Sequence, residues 1–404
     1  MEKTIGIDIE DYRKFIEENH YYVDKTLLIK DFLDDGSEVT LITRPRSFGK
    51  TLNISMMAEF LDITKDNKDI FKDTNIMGSD KAELINKIPV IFISFKDVKG
   101  DNKDDLFKML FSCLHSTFEK YEQLFDENKI KKTLARKIIG VYEILGQLGY
   151  PSREDVSIIN ESLALLSQVL YEYYSKPVII LIDECDTPFM EAHNYGFYDE
   201  VYRLFSTLLF TALKGNKYLD KAFLTGIQGI PKANIFGGLN NINVYGVDKK
   251  PYGQYFGFVE SETKALLEYY NLQLTKEVKE MYGGYRIGGY DVYNPLSISK
   301  YVNDRVLNPY WINTISDTTI KKLMNACTEY VRADYETLIT KGSIDVHTDL
   351  ETSYLEVDND QTFWTLFIHL GYLTIVEKID MDYYKVSIPN NEVKKAFKDL
   401  TGSY

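Results

Sequence analysis

The hydrophobic and polar positions of the first 250 residues alternate between two periods. Compact apolar runs rich in β-branched residues predict buried strands at residues 39–42, 89–95, 177–183, 221–226 and about 243–247. Helical spacing predicts helices at residues 8–20, 106–124, 130–148, 158–174 and 197–213, and the polar stretch 64–87 predicts a loop with short helices. Strands that alternate with helices are typical of a parallel sheet with helices on its faces. The sequence therefore predicts an α/β fold built on a parallel five-stranded sheet.

The pattern changes after residue 250. Residues 260–284, 297–306 and 317–341 have helical periodicity, and the glycine-rich stretch 283–289 predicts a cluster of turns. From residue 346 an acidic loop precedes a helix at 362–370, a hairpin at 372–378 and 383–388, and a closing helix at 391–400. These changes predict three domains, at residues 1–250, 251–345 and 346–404.

The loop that follows the first predicted strand is the most informative stretch of the chain. Residues 44–51 read Arg-Pro-Arg-Ser-Phe-Gly-Lys-Thr, which matches the phosphate-binding P-loop pattern G-x-x-x-x-G-K-[ST] except that Arg44 replaces the first glycine. In this pattern Lys50 reaches the β- and γ-phosphates, the Thr51 hydroxyl binds Mg²⁺, and the helix N-terminus contributes backbone N–H groups. The predicted nucleotide-binding residues are Arg44, Arg46, Ser47, Phe48, Gly49, Lys50, Thr51 and Leu52.

The missing glycine leaves two interpretations open. In the first, Arg44 and Arg46 offset the loss by contacting phosphate oxygens through charge-assisted hydrogen bonds. In the second, the stretch is an ordinary strand, turn and helix with Lys50 and Thr51 on its surface.

A second motif, of the Walker B type, ends the third predicted strand with Asp183 and Glu184. With that strand beside the P-loop strand, Asp183 would hold Mg²⁺ through water at the carboxyl edge of the sheet, and Glu184 would be the general base for the attacking water. Thr225, at the end of the fourth strand, is a candidate catalytic sensor of the γ-phosphate. Each feature alone also fits a plain turn after a buried strand, but two motifs in this order favour nucleotide binding.

Motifs distributed over nearly the whole chain resemble those of the bacterial AAA-ATPase-like family. They are YYVDKT at 21–26, RPRSFGKTLN at 44–53, PVIFISFKD at 89–97, IDECDTP at 182–188, TGI at 225–227, NIFGGLNN at 234–241, YGGYR at 282–286 and YNP at 293–295. The P-loop of that family commonly reads R-P-R-x-F-G-K-T, so the resemblance accommodates Arg44.

The resemblance implies a P-loop NTPase that takes ATP and Mg²⁺, similar to archaeal-type and STAND-like ATPases. It also implies a helical region after the ATPase core, at residues 251–345, and a winged-helix-like unit, which residues 362–400 fit. A nuclease-like domain of the PD-(D/E)xK type, which many members carry, is not expected in this chain. Arg286, in the glycine-rich stretch, could stabilise transition-state charge or belong to a packed turn.

Composition and charge narrow the possible partners. A formal net charge of −14 excludes a generic binder of polyanions, so DNA binding would need a local basic face. The C-terminal lysines permit such a face, but docking of a protein or closure as a lid is the favoured use of that unit. They are Lys378, Lys385, Lys394, Lys395 and Lys398.

Cysteine and histidine positions argue against a disulfide framework or a metal cluster. The three cysteines form no CxxC pair, the five histidines are scattered, and His369 is expected to be a packed core residue. No secretion signal or membrane-spanning run is visible, so a cytoplasmic protein is expected.

The leading hypothesis is an ATP-binding protein with slow, Mg²⁺-dependent hydrolysis that controls a conformational switch. Its partner would be an unidentified protein or a second copy of the chain. One alternative is a catalytically weak nucleotide-binding scaffold. The other is a DNA-binding regulator that acts through the C-terminal unit.

Overall fold

A parallel five-stranded sheet forms the centre of the molecule. The computed structural model describes residues 2–147, 153–227, 241–311, 324, 327–351 and 360–401. The strands of the central sheet are β1 (Val39–Thr43), β2 (Val90–Ser94), β3 (Val178–Asp183), β4 (Leu219–Gly226) and β5 (Ile242–Tyr245). Their order in the sheet is β2-β3-β4-β1-β5, and every pairing is parallel. The predicted fold class is confirmed, with strand ends within about two residues of the apolar runs.

Helices cover both faces of this sheet. They are α1 (Tyr12–Glu17), α2 (Leu27–Asp34), α3 (Lys50–Leu61), α4 (Lys68–Phe71), α5 (Lys103–Glu119), α6 (Lys132–Leu145), α7 (Arg153–Asn160), α8 (Ser162–Tyr174), α9 (Thr187–Tyr195) and α10 (Tyr198–Leu213). Short 3-10 turns occupy Asn75–Gly78, Ala82–Leu84 and Glu122–Leu124. The helix predicted at 158–174 is interrupted at Glu161, and the sequence pattern did not predict α9 as a separate helix.

Successive residues of the central strands enter two different cores. In β3, Ile179 and Leu181 pack with α2 and α3, whereas Ile180 and Ile182 enter the core that includes α5, α8 and α10. Because all six residues of β3 are buried, the strand reads as a continuous apolar run rather than as an alternating one.

The order of the strands corrects one expectation. Strand β4 lies between β1 and β3, so the prediction that the acidic strand lies beside the P-loop strand is wrong. The apolar runs indicate which segments are strands, but lateral order in a parallel sheet depends on where each helical connection crosses. As a result, the end of β4 lies between the two predicted motifs.

Residues 258–304, named here the middle unit, combine helices with a small sheet. Its elements are β6 (Phe258–Val259), α11 (Glu260–Tyr269), α12 (Lys276–Tyr282), β7 (Tyr285–Ile287), β8 (Tyr290–Tyr293) and α13 (Pro295–Asp304), after a 3-10 turn at Gly253–Tyr255. The glycine-rich stretch predicted as turns is a hairpin in which Gly288 and Gly289 take positive φ between β7 and β8. The helix α13 begins with Asn294 as N-cap, which accepts from the Ser297 N–H, and with Pro295 in its first turn.

Residues 329–401 are named here the C-terminal unit, and their described part contains three helices and a three-stranded sheet. Its elements are α14 (Glu329–Lys341), β9 (Ser343–His347), α15 (Asp360–His369), β10 (Thr374–Asp380), β11 (Tyr383–Ser387) and α16 (Asn391–Thr401). The predicted hairpin is confirmed as β10 and β11, and β11 also pairs with β9, which the sequence pattern did not predict.

The domain boundary predicted at residue 346 falls inside β9. Most of the first part of the helix predicted at 317–341 lies outside the described residues. The winged-helix assignment stays a prediction. None of the helices in the described ranges has the length and apolar character that a bilayer crossing requires.

Candidate functional site

The loop between β1 and α3 needs two unusual backbone conformations. Gly49, the N-cap of α3, has φ +83°, and Ser47 has φ +63°. Glycine adopts this left-handed conformation at no steric cost, whereas a serine there is strained. These two residues turn the chain so that the first turn of α3, with its unpaired N–H groups, faces a cavity.

That cavity has a volume of about 450 Å³ and is walled by several elements. The predicted site residues that line it are Arg46, Ser47, Phe48, Gly49, Lys50, Thr51, Leu52 and Glu184. The N-terminal segment 5–10, the helix α9 and the middle unit supply much of the remaining wall. Three predicted residues, Arg44, Asp183 and Thr225, do not line it.

Lys50 is held inside the loop by neutral acceptors. Its Nζ donates to the carbonyl oxygens of Arg44 and Pro45, at 3.0 Å each, and the residue is only 5 % exposed. Burial lowers the pKa of Lys50, and the charges of Glu184, Asp186 and Asp183 partly oppose that shift. The ammonium therefore lies in a position where an anion in the cavity would stabilise it.

Asp183 lies one layer behind the cavity, where hydroxyl groups from three elements bond to it. Its carboxylate accepts from the Thr51 hydroxyl at 3.0 Å, from Thr225 at 2.6 Å and from Ser94 at 3.3 Å. Burial raises the pKa of Asp183, and the hydrogen bond from Thr225 opposes that shift. The structure thus brings together Thr51 and Asp183, the two residues predicted to hold a metal.

Thr225 has a different place from the one the sequence suggested. Its side chain is fully buried, donates to Asp183 and accepts from the backbone N–H of Glu184 at 3.2 Å. Because β4 lies between β1 and β3, Thr225 reaches both acidic residues but not the cavity. Direct contact of Thr225 with the γ-phosphate is therefore not supported, and its contacts position Asp183 and Glu184. Ser94, at the end of β2, was missed, although a polar residue at the carboxyl end of a parallel strand was the available signal.

Glu184 is at the wall of the cavity in a strained conformation. Its φ is +49°, and its Oε2 accepts from the Thr187 hydroxyl at 3.1 Å. A non-glycine residue with positive φ is uncommon and often marks a functional site. Asp186, predicted as a capping or turn residue, occupies the N-cap position of α9, and its carboxylate accepts from the Ile227 N–H at 2.9 Å.

Arg44 faces away from the cavity, and this corrects the expectation that it contacts phosphate. Its guanidinium donates to the carbonyls of Thr43 at 2.7 Å and Tyr245 at 2.8 Å, and lies over the ring of Phe256. Full burial lowers the pKa of Arg44 to about 9. The side chain therefore joins the loop to the end of β5, and only Arg46 of the two arginines lines the cavity.

Residues in and beside the middle unit and the C-terminal unit, together the two outer units, contact the loop. The indole N–H of Trp311 donates to the Arg46 carbonyl at 3.2 Å, and the Gly257 N–H donates to the Phe48 carbonyl at 3.1 Å. Gly371 lies so close to Pro45 that a Cβ at this glycine would be 2.9 Å from the proline ring. The loop is therefore packed on its outer side against residues from the second half of the chain.

Arg286 and His369 do not approach the cavity. The Arg286 guanidinium is exposed and donates to the Val376 carbonyl at 3.2 Å, so the structure does not place this residue near bound phosphate. His369 is buried, as predicted, and burial lowers its pKa to about 4.

The motif at 21–26 has a structural explanation that sequence reasoning did not supply. Lys25, 5 % exposed, donates to both carboxylate oxygens of Glu262 at 2.6 and 2.7 Å and to the Gln254 carbonyl at 2.7 Å. Glu262 in turn accepts from the Val259 N–H at the start of α11. Lys25 therefore ties the N-terminal part of the chain to the middle unit at one wall of the cavity.

Known proteins resemble this chain along much of its length. A family model described as a predicted AAA-ATPase matches residues 5–236, which include the loop, Asp183, Glu184 and Thr225. The chain is also 25 % identical over 405 residues to an uncharacterized protein in the vnfD 5' region of Azotobacter chroococcum mcd 1, with 98 % of this chain and 69 % of that protein covered.

Proposed function

The chain belongs to the AAA-ATPase-like family of predicted AAA-ATPases, and from this premise we propose that it binds ATP with Mg²⁺ in the cavity before α3 and hydrolyses it slowly. The observation that carries the proposal is the 3.0 Å hydrogen bond between the Thr51 hydroxyl and the Asp183 carboxylate. These residues are 132 positions apart, yet they meet beside Lys50 and Glu184. That arrangement is the one phosphoryl transfer in P-loop proteins requires.

The residues present fit a magnesium ion. In the described ranges no group of three or more His, Cys, Asp or Glu side chains could hold a metal alone, but Mg²⁺ commonly takes only one or two protein ligands together with phosphates and water. Thr51 and Asp183 offer the hard oxygen ligands it prefers. Held by these two residues, Mg²⁺ would neutralise charge on the β- and γ-phosphate oxygens.

The protein residues then have distinct tasks. Lys50 exchanges two neutral carbonyl acceptors for phosphate oxygens, which favour its charged form more strongly. Glu184 orients the attacking water and takes its proton as the water oxygen bonds to the γ-phosphorus and ADP leaves. Thr225 keeps Asp183 and the Glu184 backbone in place.

The contacts on the outer side of the loop support a switch rather than a motor. When Lys50 leaves the carbonyls of Arg44 and Pro45, the loop must adjust around a bound phosphate. Trp311 bonds to the same loop at Arg46, and Gly371 packs against Pro45. Trp311, which lies between the two outer units, and Gly371, which lies in the C-terminal unit, are therefore placed to respond to the nucleotide state.

A single-turnover assay with radiolabelled ATP tests the proposal. We expect Glu184→Gln to bind ATP·Mg²⁺ with the affinity of the native protein but to release phosphate about 100-fold more slowly, because general-base catalysis typically contributes 10²–10⁴-fold. Glu191→Gln is the matched control, since Glu191 lines the same cavity on α9 and has no assigned task. Equal rates of phosphate release for native protein and Glu184→Gln would reject the proposed hydrolysis and favour a catalytically weak nucleotide-binding scaffold.

A further inference from the structure

A lysine beyond the end of β2 reaches the cavity without having a task in the proposed mechanism. Strand β2 pairs with β3 so that Ser94 is opposite Asp183, and the Phe95 N–H donates to the Asp183 carbonyl at 2.9 Å. Lys96, the next residue, lines the cavity together with Lys50, Thr51 and Glu184. In the strand order, β2 flanks β3 on the side away from β4 and β1, so Lys96 approaches from the side opposite Lys50.

The ammonium of Lys96 is held by a carboxylate from the N-terminal segment. Its Nζ is 2.6 Å from both carboxylate oxygens of Glu10, which also lines the cavity. Burial lowers the pKa of Lys96, but the bond to Glu10 and the charges of Glu10 and Glu184 outweigh it and raise the pKa overall. Lys96 is therefore a permanent cation close to Glu184.

The ion pair is accessible to solvent and replaceable. The side chains of Lys96 and Glu10 are 41 % and 49 % exposed, and an exposed pair of this kind contributes little net stability. A terminal phosphate carries more negative charge than a carboxylate and offers three acceptor oxygens, so it competes well for the same ammonium. A cation at this position also reduces the repulsion between that phosphate and the Glu184 carboxylate.

We propose that Lys96 binds the terminal phosphate of a nucleoside triphosphate, and that Glu10 occupies the Lys96 ammonium until the triphosphate displaces it. This inference rests on the proposed function and deepens it, because it makes Lys96 the residue that distinguishes ATP from ADP. Lys50 would contact the β-phosphate, which both nucleotides carry, as well as the γ-phosphate, whereas Lys96 would contact the γ-phosphate alone.

The exchange also changes how the N-terminal segment is fixed. Its other end is bound to α11, where the Lys3 N–H donates to the Tyr269 hydroxyl at 2.9 Å and the Tyr270 hydroxyl donates to the Lys3 carbonyl at 3.0 Å. When Glu10 loses Lys96, residues 5–10 lose one anchor, while the bonds of Lys3 to α11 and of Thr4 to Asn19 and Tyr21 remain. Triphosphate, but not diphosphate, then increases amide hydrogen exchange in residues 5–10.

Calorimetric titration with a non-hydrolysable ATP analogue and with ADP, both with Mg²⁺, tests the inference. We expect Lys96→Met to bind the triphosphate about tenfold more weakly and ADP within twofold of the native protein. Glu10→Gln, which frees the ammonium, is expected to bind the triphosphate several-fold more tightly. Lys96→Arg keeps the charge and restores most of the preference for triphosphate.

Lys108→Met and Asp105→Asn are the matched controls. They remove an exposed lysine–carboxylate pair of 3.1 Å on α5 that does not line the cavity, and we expect neither to change the ratio of the two affinities.

If the native protein binds neither nucleotide, the proposed function and the inference are both overturned. If it binds and Lys96→Met retains the native ratio, only the inference is overturned. A loss of triphosphate preference in Lys99→Met, without one in Lys96→Met, also overturns it, because Lys99 lines the same cavity.

Discussion

The P-loop region and the junction between the two outer units each contain a fully buried carboxylate, but the two carboxylates have different surroundings. Asp183 accepts from three hydroxyl groups and has the Lys50 ammonium within electrostatic reach. Glu392, on α16, accepts from the Ser297 hydroxyl at 2.9 Å and from the Trp311 backbone N–H at 2.7 Å. The hydrogen bonds from Ser297 and Trp311 hold Glu392 in place.

From this difference we infer that Asp183 serves a ligand, whereas Glu392 serves the fold. A cation bound at Asp183 would offset the cost of its desolvation, so we expect the protein to gain stability when ATP·Mg²⁺ binds. Glu392 joins α16 to α13 and to Trp311, and a bound ligand would not relieve its burial. Three experiments test this contrast, taken from the largest expected effect to the smallest.

The first concerns the pH dependence of stability. Burial raises the pKa of Glu392 to about 7 from an ordinary value of 4.5. The folded protein therefore binds more protons at this group than the unfolded chain, so its contribution to stability is complete below about pH 4.5 and is lost as the pH rises through 7. We expect this group to cost roughly 3 kcal/mol of unfolding free energy across that interval.

Urea denaturation between pH 4.5 and 8 measures this effect in native protein and in Glu392→Gln. The variant cannot ionise at this position, so its stability relative to the native protein should rise with pH. Glu336→Gln is the matched control, because Glu336 is an exposed residue of α14. Parallel stability curves for native protein and Glu392→Gln would show that Glu392 does not titrate between these pH values.

The second experiment concerns the ligand dependence of stability. At a nucleotide concentration 100 times the Kd, ATP·Mg²⁺ should stabilise the native protein by about 2.7 kcal/mol. We expect Asp183→Asn to lose the part of this gain that depends on Mg²⁺, whereas Glu392→Gln keeps it. Thermal unfolding with ATP·Mg²⁺ and with ATP plus a chelator provides the measurement. A full magnesium-dependent gain in Asp183→Asn would contradict the assignment of Asp183 as a metal ligand.

The third experiment concerns the link between the two regions. Phenylalanine has no ring N–H, so in the variant Trp311→Phe the Arg46 carbonyl loses its hydrogen-bond donor. The control is Trp364→Phe, because the Trp364 ring on α15 packs against Phe363 and Phe367. We expect Trp311→Phe to lose about 1 kcal/mol more unfolding free energy than this control. Equal losses in urea denaturation would mean that ring size, and not the hydrogen bond, explains the effect.

The sequence predicted the central sheet and the position of Lys50 and Thr51 at the start of a helix because both are local properties. Apolar β-branched runs mark buried strands wherever they occur, and Lys50 and Thr51 have a fixed position relative to the helix that they begin. Asp183 and Glu184 could be recognised for the same reason, since they end a strand whose burial is evident from its composition.

The parts that could not be predicted depend on contacts between distant segments. Arg44 follows the pattern of a phosphate ligand, but Tyr245 and Phe256, some 200 residues later, bury its guanidinium. Thr225 is behind the cavity because of the strand order, which no local pattern encodes. Lys96 reads as part of a charged turn until the register of β2 against β3 places it at the sheet edge.

The bond between Trp311 and Arg46 has a consequence for synthesis of the chain. The two residues are 265 positions apart, and a ribosome adds about 5–20 residues per second. The nascent protein therefore makes the loop at residues 44–51 roughly 10–50 s before the tryptophan that packs on the outer side of that loop. During that interval the loop lacks the hydrogen bond from the Trp311 indole to the Arg46 carbonyl.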